Sequence, residues 1–354
     1  MQNLFEVVEA LDCARLLLWS DRASGLRALL AIDDVSLGPA AGGIRTWRYA
    51  NLAAAVQDAA ALARAMTIKT ALTGLDAGGG KIVVLDHPGL DRPAAFARLG
   101  QFIEELGGLM QTAGDLGTTA EDLAAVARHT SYVQTSHADL TAATARTLVR
   151  CAEACGEVAG RGGLRGLRVA VQGCGAIGDA VARALAAAGA HLLVGDVDAA
   201  RAQRTASATG ARMVPAEGVL LEDVDMVCPC AVGGVVTTAL ADRLKAWAVC
   251  GAANNVLAEP GAERRLGERG ILFVPDVLAS SGAIIKGVTS VIMRLPDSAP
   301  LIDAVGEIAR SILTESQESR RPATEIAHER ARARLAAARA AATRPAGRPG
   351  AGPR

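Results

Sequence analysis

A two-domain α/β architecture follows from this sequence on three grounds. A chain of 354 residues suggests roughly two domains. Short β-branched runs alternate with alanine-rich helical stretches along most of its length, the pattern of strand–helix units. From about residue 140 the pattern sharpens, as Leu167–Gln172 reads as a strand, Gly173-Cys174-Gly175-Ala176-Ile177-Gly178 as a glycine-rich turn, and His191–Asp196 as a second strand after a helix. A strand, such a turn, a helix and a strand ending in an acid form the context of a dinucleotide-binding βαβ unit.

Composition narrows the function classes. Lysine plus arginine and aspartate plus glutamate number 37 each, so net charge gives no reason to expect a polyanion or a membrane surface as partner. Aromatic residues are only 3%, too few for a base-stacking platform, so no nucleic-acid partner is expected. No apolar run approaches the ~18–20 residues of a membrane span, and Met1-Gln2-Asn3-Leu4-Phe5-Glu6 lacks the basic and apolar regions of a secretory signal. A cytoplasmic location is the expectation. The seven cysteines, an odd number, argue against a disulfide framework. Cys228-Pro229-Cys230 has no second pair or nearby histidines to complete a zinc site, so small buried thiols, and no metal, are expected.

The N-terminal half then reads element by element. Leu16–Trp19 and Leu26–Ile32 flank a polar turn with Gly25 and predict a β-hairpin. Gly38-Pro39 breaks the chain, and Ala41-Gly42-Gly43-Ile44-Arg45 follows as a loop or a bulged strand. From Leu52 to about Lys69, Val56, Ala59, Ala60, Ala63 and Met66 share one helical face. Leu75-Asp76-Ala77-Gly78-Gly79-Gly80-Lys81 then runs into Ile82-Val83-Val84-Leu85. Three consecutive glycines mark a place where backbone approaches something closely. A lysine opening a buried apolar run, without a full-time counter-ion, would have its pKa lowered toward the range of acid–base work. Lys69 and Lys81 converge if the segment between them turns back. Pro93–Leu106 predicts another helix, and Thr119 with Asp122 fits a capping box, which places Asp115 in the loop just before a helix N-terminus.

In the second half, the glycines Gly173, Gly175 and Gly178 allow the turn, the approach of a pyrophosphate and close helix–strand packing, while the helix N-terminus favours the phosphate charge. Asp196 suits a ribose 2′-hydroxyl and repels a 2′-phosphate, which favours NAD; Arg201 nearby argues the other way. Further strands at Val224–Val227, Trp247–Gly251 and Gly270–Pro275 end in small or polar loops, so Ala231–Gly234 and Ala252–Asn255 are candidate cofactor contacts. Residues 301–340 read as helical, and the basic Pro/Gly tail 343–354 as disordered.

Together these segments resemble the Glu/Leu/Phe/Val dehydrogenase family, in its leucine, valine and phenylalanine dehydrogenase branch. The matching stretches are Gly38–Gly43, Met66–Lys69, Gly78–Lys81, Gly114–Thr119, the glycine turn with Asp196, Cys230–Gly234 and Gly251–Asn255, in the family's order across roughly residues 1–330. The resemblance implies an N-terminal α/β catalytic domain over residues 1–139 that also binds substrate and mediates oligomerisation, and a Rossmann-type NAD-binding domain over 140–300. It further implies C-terminal helices over 301–342 that return to the catalytic domain, a closing cleft between the domains, and a homo-oligomer.

The implied activity is reversible oxidative deamination of an L-amino acid to a 2-oxo acid and ammonia with NAD. In that reading Lys69 binds the substrate carboxylate, Lys81 is the low-pKa general base, and Asp115 holds the amino group and shuttles its protons. Gly42, Gly43 and Met66 shape the substrate site, and Asn255 lies beside substrate and nicotinamide. Gly173, Gly175, Ala176, Ile177, Gly178, Asp196, Cys230, Ala231, Asn254 and Asn255 contact the cofactor.

Two departures from the family pattern stand out. The connection Val133–Leu140 is short, and Ser280-Ser281-Gly282-Ala283 replaces the usual Asn-Ala-Gly-Gly. Ala41 and Gly287 stand where larger aliphatic residues line the leucine side-chain pocket, which predicts a bulkier side chain, an aromatic one included. Lys286 has two readings, a contact to a polar substituent or a solvated helix lysine. Two alternative functions accompany these departures: a specialised relative acting on an unusual amino acid or oxo acid, and a non-catalytic NAD-binding regulator.

Overall fold

The computed structural model describes residues 9 and 11–342. The signal-peptide and tail expectations, on residues 1–6 and 343–354, lie outside the described residues. Among the described residues the strands fall into two sheets of six, one in each half of the chain.

The first sheet opens with the expected hairpin, β1 (Arg15–Asp21) paired antiparallel with β2 (Leu26–Asp34). Gly42 and Gly43 lie within β3 (Ala40–Trp47) rather than in a loop. Helix α1 (Leu52–Leu72) is capped by Asn51, whose side chain accepts from Ala54 N–H at 2.9 Å. It outlasts the predicted end by three residues, because Thr73 supplies the C-cap, its N–H donating to Lys69 O at 3.1 Å and its hydroxyl at 2.7 Å. Lys69 therefore sits in the last helical turn.

Strand β4 (Gly78–Leu85) follows, then α2 (Arg92–Glu105), β5 (Met110–Gly114), α3 (Ala120–Ala127) and β6 (Val133–Gln134). The predicted capping box at Thr119 and Asp122 is formed at the start of α3. The strand order is β1-β2-β4-β3-β5-β6, with β3, β4, β5 and β6 mutually parallel.

Strand alternation separates the two faces of β4. Ile82 and Val84 enter the core against Phe96, Leu99 and Val126 of α2 and α3. Val83 packs with Ala55, Val56, Ala59 and Ala63 of α1, so Lys81, two residues earlier on that face, points toward α1.

The long α4 (His137–Val158) starts directly after β6, five residues before the predicted helix start, and the expected boundary at 139/140 falls inside it. The second sheet is β7 (Arg168–Gln172), β8 (His191–Gly195), β9 (Arg212–Met213), β10 (Met226–Pro229), β11 (Ala248–Val249) and β12 (Leu272–Phe273). These strands are all parallel, in the order β12-β11-β10-β7-β8-β9. This is the doubly wound dinucleotide-binding order, with its switch point between β7 and β10. The intervening helices are α5 (Ala176–Ala187), α6 (Ala199–Thr209), α7 (Thr238–Arg243) and α8 (Pro260–Glu268).

After β12 come α9 (Asp276–Ala279), α10 (Gly282–Val291), α11 (Ala299–Ser319) and α12 (Ala323–Ala342). The last two occupy the stretch expected to be helical over 301–340 and are separated at Arg320–Pro322. Arg320 takes a left-handed φ of 57°, and Pro322, with no N–H to donate, follows at once. Helix α11 packs along α4, and α12 crosses back to α1. There the Arg334 guanidinium donates to the carbonyls of Thr70, Ala71 and Leu75 at 2.9–3.2 Å, closing the C-terminal end of the helix that carries Lys69. No helix among the described residues is long and apolar enough to cross a membrane.

Candidate active site

The glycine run does its work by sparing volume. A methyl group on Gly79 would stand 2.3 Å from Ala63 O, Thr67 N and Thr67 Oγ1 of α1, and one on Gly78 would stand 1.8 Å from Asp34 O. Side-chain-free backbone therefore lets α1 lie directly on β4, and this contact brings Lys69 and Lys81 to one cavity. Both lysines are almost wholly buried, at 7% and 5% exposure. A methyl group on Gly42 would meet Gly80 O at 1.8 Å and lie 3.5 Å from Met66 Cγ, so the same economy extends into β3.

The two lysines have different partners. Lys81 Nζ lies 2.7 Å from Asp115 Oδ2. Lys69 Nζ donates to Asn254 Oδ1 at 2.7 Å and to Ser280 Oγ at 2.8 Å, both in the second half of the chain. Burial pushes the Lys81 ammonium below the usual lysine range, against the upward pull of Asp115. Burial also lowers Lys69, opposed by Asp276 and reinforced by Lys81. For Asp115 burial alone would raise the carboxyl, but Lys81 and Arg45 outweigh it and hold it at about 2. The site thus contains a fixed carboxylate and two lysines for which the charged form is disfavoured.

These groups face a cavity of about 390 Å³ between the two halves of the chain. Gly42, Gly43, Met66, Lys69, Lys81 and Asp115 line it from the first half, and Ile177, Asn254, Asn255 and Ser280 from the second. Ala41 and Gly287 both line it, on β3 and α10. Lys286 is half-buried on α10 and does not line it, so a contact to a polar substituent has no support there. Gln134, Leu140 and Thr141, at the short connection into α4, border the same space.

The glycine turn after β7 fits a dinucleotide pyrophosphate. Gly173 has φ 94°, and a methyl on it would stand 2.7 Å from Ala231 Cβ. A methyl on Gly178 would stand 1.9 Å from Gly173 O and 3.3 Å from Cys230 Cβ. These two glycines pack the turn against the β10 loop, with Cys230 and Ala231 behind it. Gly175, at the N-cap of α5, meets nothing within 4 Å, leaving backbone exposed where a phosphate approaches a helix N-terminus. Ala176 and Ile177 form the first turn of α5 behind it. Asp196 lies just past β8, one carboxylate oxygen accepting from Cys174 N–H at 2.6 Å and the other from Asp198 N–H at 2.7 Å. Its carboxylate is thereby anchored beside the turn. Asn255 takes a left-handed φ of 52°, and its N–H donates to an Asp276 carboxylate oxygen, so Asn254 and Asn255 form a constrained corner rather than a plain turn. All seven cysteines are free thiols; Cys230 is half-buried and the others are buried, with the sulfurs of Cys228 and Cys230 3.6 Å apart.

Comparison with known proteins bears on this geometry. Residues 18–132 match the family model described as Glu/Leu/Phe/Val dehydrogenase, dimerisation domain, and residues 194–344 match that of Glutamate/Leucine/Phenylalanine/Valine dehydrogenase. The chain belongs to the Glu/Leu/Phe/Val dehydrogenase family. It is 35% identical to leucine dehydrogenase of Bacillus subtilis over 292 residues, 80% of each chain. Phenylalanine dehydrogenase of Lysinibacillus sphaericus is 32% identical over 307 residues, 83% of this chain and 80% of that one. The crystal structure of L-tryptophan dehydrogenase from Nostoc punctiforme superposes with a TM-score of 0.81 at 29% identity, covering 96% of this chain and all of that one. Family membership makes the chain an amino-acid dehydrogenase that works with a pyridine nucleotide.

The family motifs do not announce every residue that builds the site. Arg45 Nε donates to Asp115 Oδ2 at 2.9 Å, and its terminal nitrogen donates to Asp58 on α1 at 3.1 and 3.3 Å. Tyr49 donates to the same Asp58 carboxylate. Ser280, a departure from the family pattern, accepts from Lys69 Nζ at 2.8 Å. Arg45 closes the quoted Gly42-Gly43 stretch, but its partners lie 13 and 70 positions away, so no local pattern could reveal the link.

Proposed function

We propose that the chain catalyses the NAD-dependent, reversible oxidative deamination of a hydrophobic L-amino acid, an aromatic one included, to its 2-oxo acid and ammonia. The observation that carries this reading is the meeting of Lys69, Lys81 and Asp115 in one buried cavity bordered by Ile177, in the first turn of the helix that follows the glycine-rich turn.

In this reading Lys69 binds the substrate carboxylate, which takes the place of the neutral oxygens of Asn254 and Ser280. Asp115, fixed as an anion, accepts hydrogen bonds from the substrate amino group and relays its protons. A pyridine nucleotide held at the Gly173–Gly178 turn would supply the acceptor for a hydride from the substrate α-carbon. Lys81, as a free amine, takes a proton from water as the new C–O bond forms at the iminium carbon and the C=N pair moves to nitrogen. Burial favours the free-amine form that general base catalysis near neutral pH requires. Asn255 and Ile177 border the space between substrate and nicotinamide, and the small Ala41 and Gly287 leave room for a bulky side chain. The L-tryptophan dehydrogenase similarity supports that preference.

NAD over NADP rests on Asp196, whose charge beside the glycine turn would repel a 2′-phosphate. A homo-oligomer is part of the proposal, supported by the dimerisation-domain match, and so is a cytoplasmic setting, with which seven free thiols are compatible. The test is spectrophotometric: L-leucine, L-valine, L-phenylalanine and L-tryptophan, each with NAD and with NADP. Reduction of NAD with the aromatic substrates, abolished in Lys81→Ala with NAD binding retained, is the expected result. Folded protein that reduces neither nucleotide with any of the four would overturn the reading.

A further inference from the structure

The Lys81–Asp115 pair raises a difficulty that the pair itself does not solve. For Lys81 to act as a base it must give up its proton beside a buried carboxylate. With no other cation present, losing the proton would leave that carboxylate uncompensated in a site of low dielectric, a costly state. Such a pair would instead hold its proton tightly.

The structure supplies a second cation. Arg45, on β3, donates through Nε to Oδ2 of Asp115, the oxygen that Lys81 also contacts. A guanidinium stays protonated throughout the working range. Arg45 is in turn held by both oxygens of Asp58 on α1, and Asp58 is bonded by the Tyr49 hydroxyl. Charges therefore alternate from the cavity outward: Lys81, Asp115, Arg45, Asp58. The other lysine of the cavity, Lys69 on α1, is directed to Asn254 and Ser280 instead, with Asp276 of α9 the acid acting most strongly on it.

We infer that Arg45 is a positioning residue for the deamination: as a permanent cation on the same carboxylate oxygen, it keeps Asp115 ionised and in place while Lys81 releases and regains its proton. Arg45 borders the cavity, but its hydrogen bonds go to Asp115 and Asp58. It acts through Asp115, and Asp58 acts through Arg45. The inference rests on the proposed role of Lys81. The direction of the electrostatics agrees with the geometry, since Arg45 lowers the Lys81 ammonium's pKa and Asp58 raises it, after the larger effects of burial and Asp115.

The test is the pH profile of kcat/KM for oxidative deamination at saturating NAD, in wild type, Arg45→Gln, Arg45→Lys, Asp58→Asn and Lys81→Ala. Arg45→Gln should move the ascending limb upward by roughly one pH unit or more, since an adjacent charge shifts a pKa by about that much. Arg45→Lys, which keeps the charge and loses the two-carboxylate fork, should lower kcat while leaving the limb in place. Asp58→Asn removes an acid and should move the limb downward; it keeps the test open if Arg45→Gln does not fold. An unmoved limb in folded Arg45→Gln, or an upward or absent shift in Asp58→Asn, would overturn the inference, because a purely structural role lowers activity equally at every pH. Lys81→Ala separates the two readings. Retained turnover there refutes the base assignment itself, whereas an inactive Lys81→Ala with an unmoved Arg45→Gln limb refutes only the role of Arg45.

Discussion

Gly79→Ala tests whether the glycine run exists to seat α1 on β4. The added methyl would lie 2.3 Å from three atoms of α1, two of them backbone, whereas ordinary van der Waals contact begins at 3.4 Å. No flexible side-chain end is there to yield, so the helix must recede by roughly 1 Å or the strand must buckle. Overpacking of this kind costs about 1–3 kcal/mol, which corresponds to a Tm lowered by roughly 3–10 °C in a domain of this size. The movement also separates Lys69, two residues beyond Thr67, from Lys81, two residues beyond Gly79. A misplacement near 1 Å can cost on the order of 100-fold in rate, so kcat/KM for deamination should fall by about that factor while NAD binding, on the other sheet, is unchanged. Gly163→Ala serves as the control, because a methyl there meets nothing within 4 Å, and its effect should stay within about 0.5 kcal/mol. Differential scanning calorimetry and initial rates measure both quantities. A Gly79→Ala protein with the wild-type Tm and full activity would show that α1 does not rest on the glycine backbone, and the account of how the two lysines meet would fail.

Two further perturbations have definite expected outcomes. Ala41→Leu and Gly287→Val refill the side-chain end of the cavity, and the ratio of kcat/KM for phenylalanine over leucine should fall by roughly tenfold or more in each; an unchanged ratio would remove these residues from the specificity argument. Arg339 pairs with Asp34, a carboxylate only 5% exposed, and ties α12 to the first sheet. Burial would raise the Asp34 carboxyl, but Arg339 and Ser36 outweigh it and hold it below its ordinary value of 3.8. The depressed carboxyl contributes stability above that value and loses it as pH falls through the lower folded-state value. Arg339→Ala should accordingly lower Tm by roughly 2–8 °C at pH 7, with the gap to wild type closing below pH 3.8; a gap independent of pH would contradict the pairing.

How much was legible beforehand divides by the range of the interaction. Lys69, Lys81, Asp115 and the glycine turn lie in short segments whose chemistry is local: a helix end, a glycine run before a strand, a loop before a capping box, a turn between strand and helix. The hairpin, the capping box and the parallel second sheet were legible for the same reason, since each depends on spacing within a few residues. What escaped depends on contacts across the fold. Arg45 reaches Asp115 only because β3 and β5 are parallel neighbours with Ile44 opposite Gly114, a register set by the whole sheet. C-terminal helices are expected over 301–342, but helical periodicity on both sides of Arg320-Arg321-Pro322 leaves open where they separate. The cavity's width was legible only at Ala41 and Gly287, because the rest of its shape depends on how α10 lies over β3.

Lys69 links the two halves of the chain at the cavity, and its partners support the carboxylate-binding role proposed for it. Its ammonium is bonded to two neutral oxygens, one from the loop after β11 and one just past α9. Neutral acceptors compensate a buried cation less than an anion does, and burial is the largest influence on this group, only partly offset by Asp276. The site is therefore undercompensated as it stands. A carboxylate replacing Asn254 and Ser280 would form a charge-assisted pair and restore the balance. Because those two residues belong to the half that carries the glycine turn, the exchange also changes what ties the two halves together. Under the proposed function, binding of the substrate carboxylate would therefore alter the contact between the two halves through one ammonium group. The same argument explains why a neutral analogue such as an amino-acid amide should bind weakly: it would exchange two neutral hydrogen bonds for others of the same kind, with no gain in charge compensation.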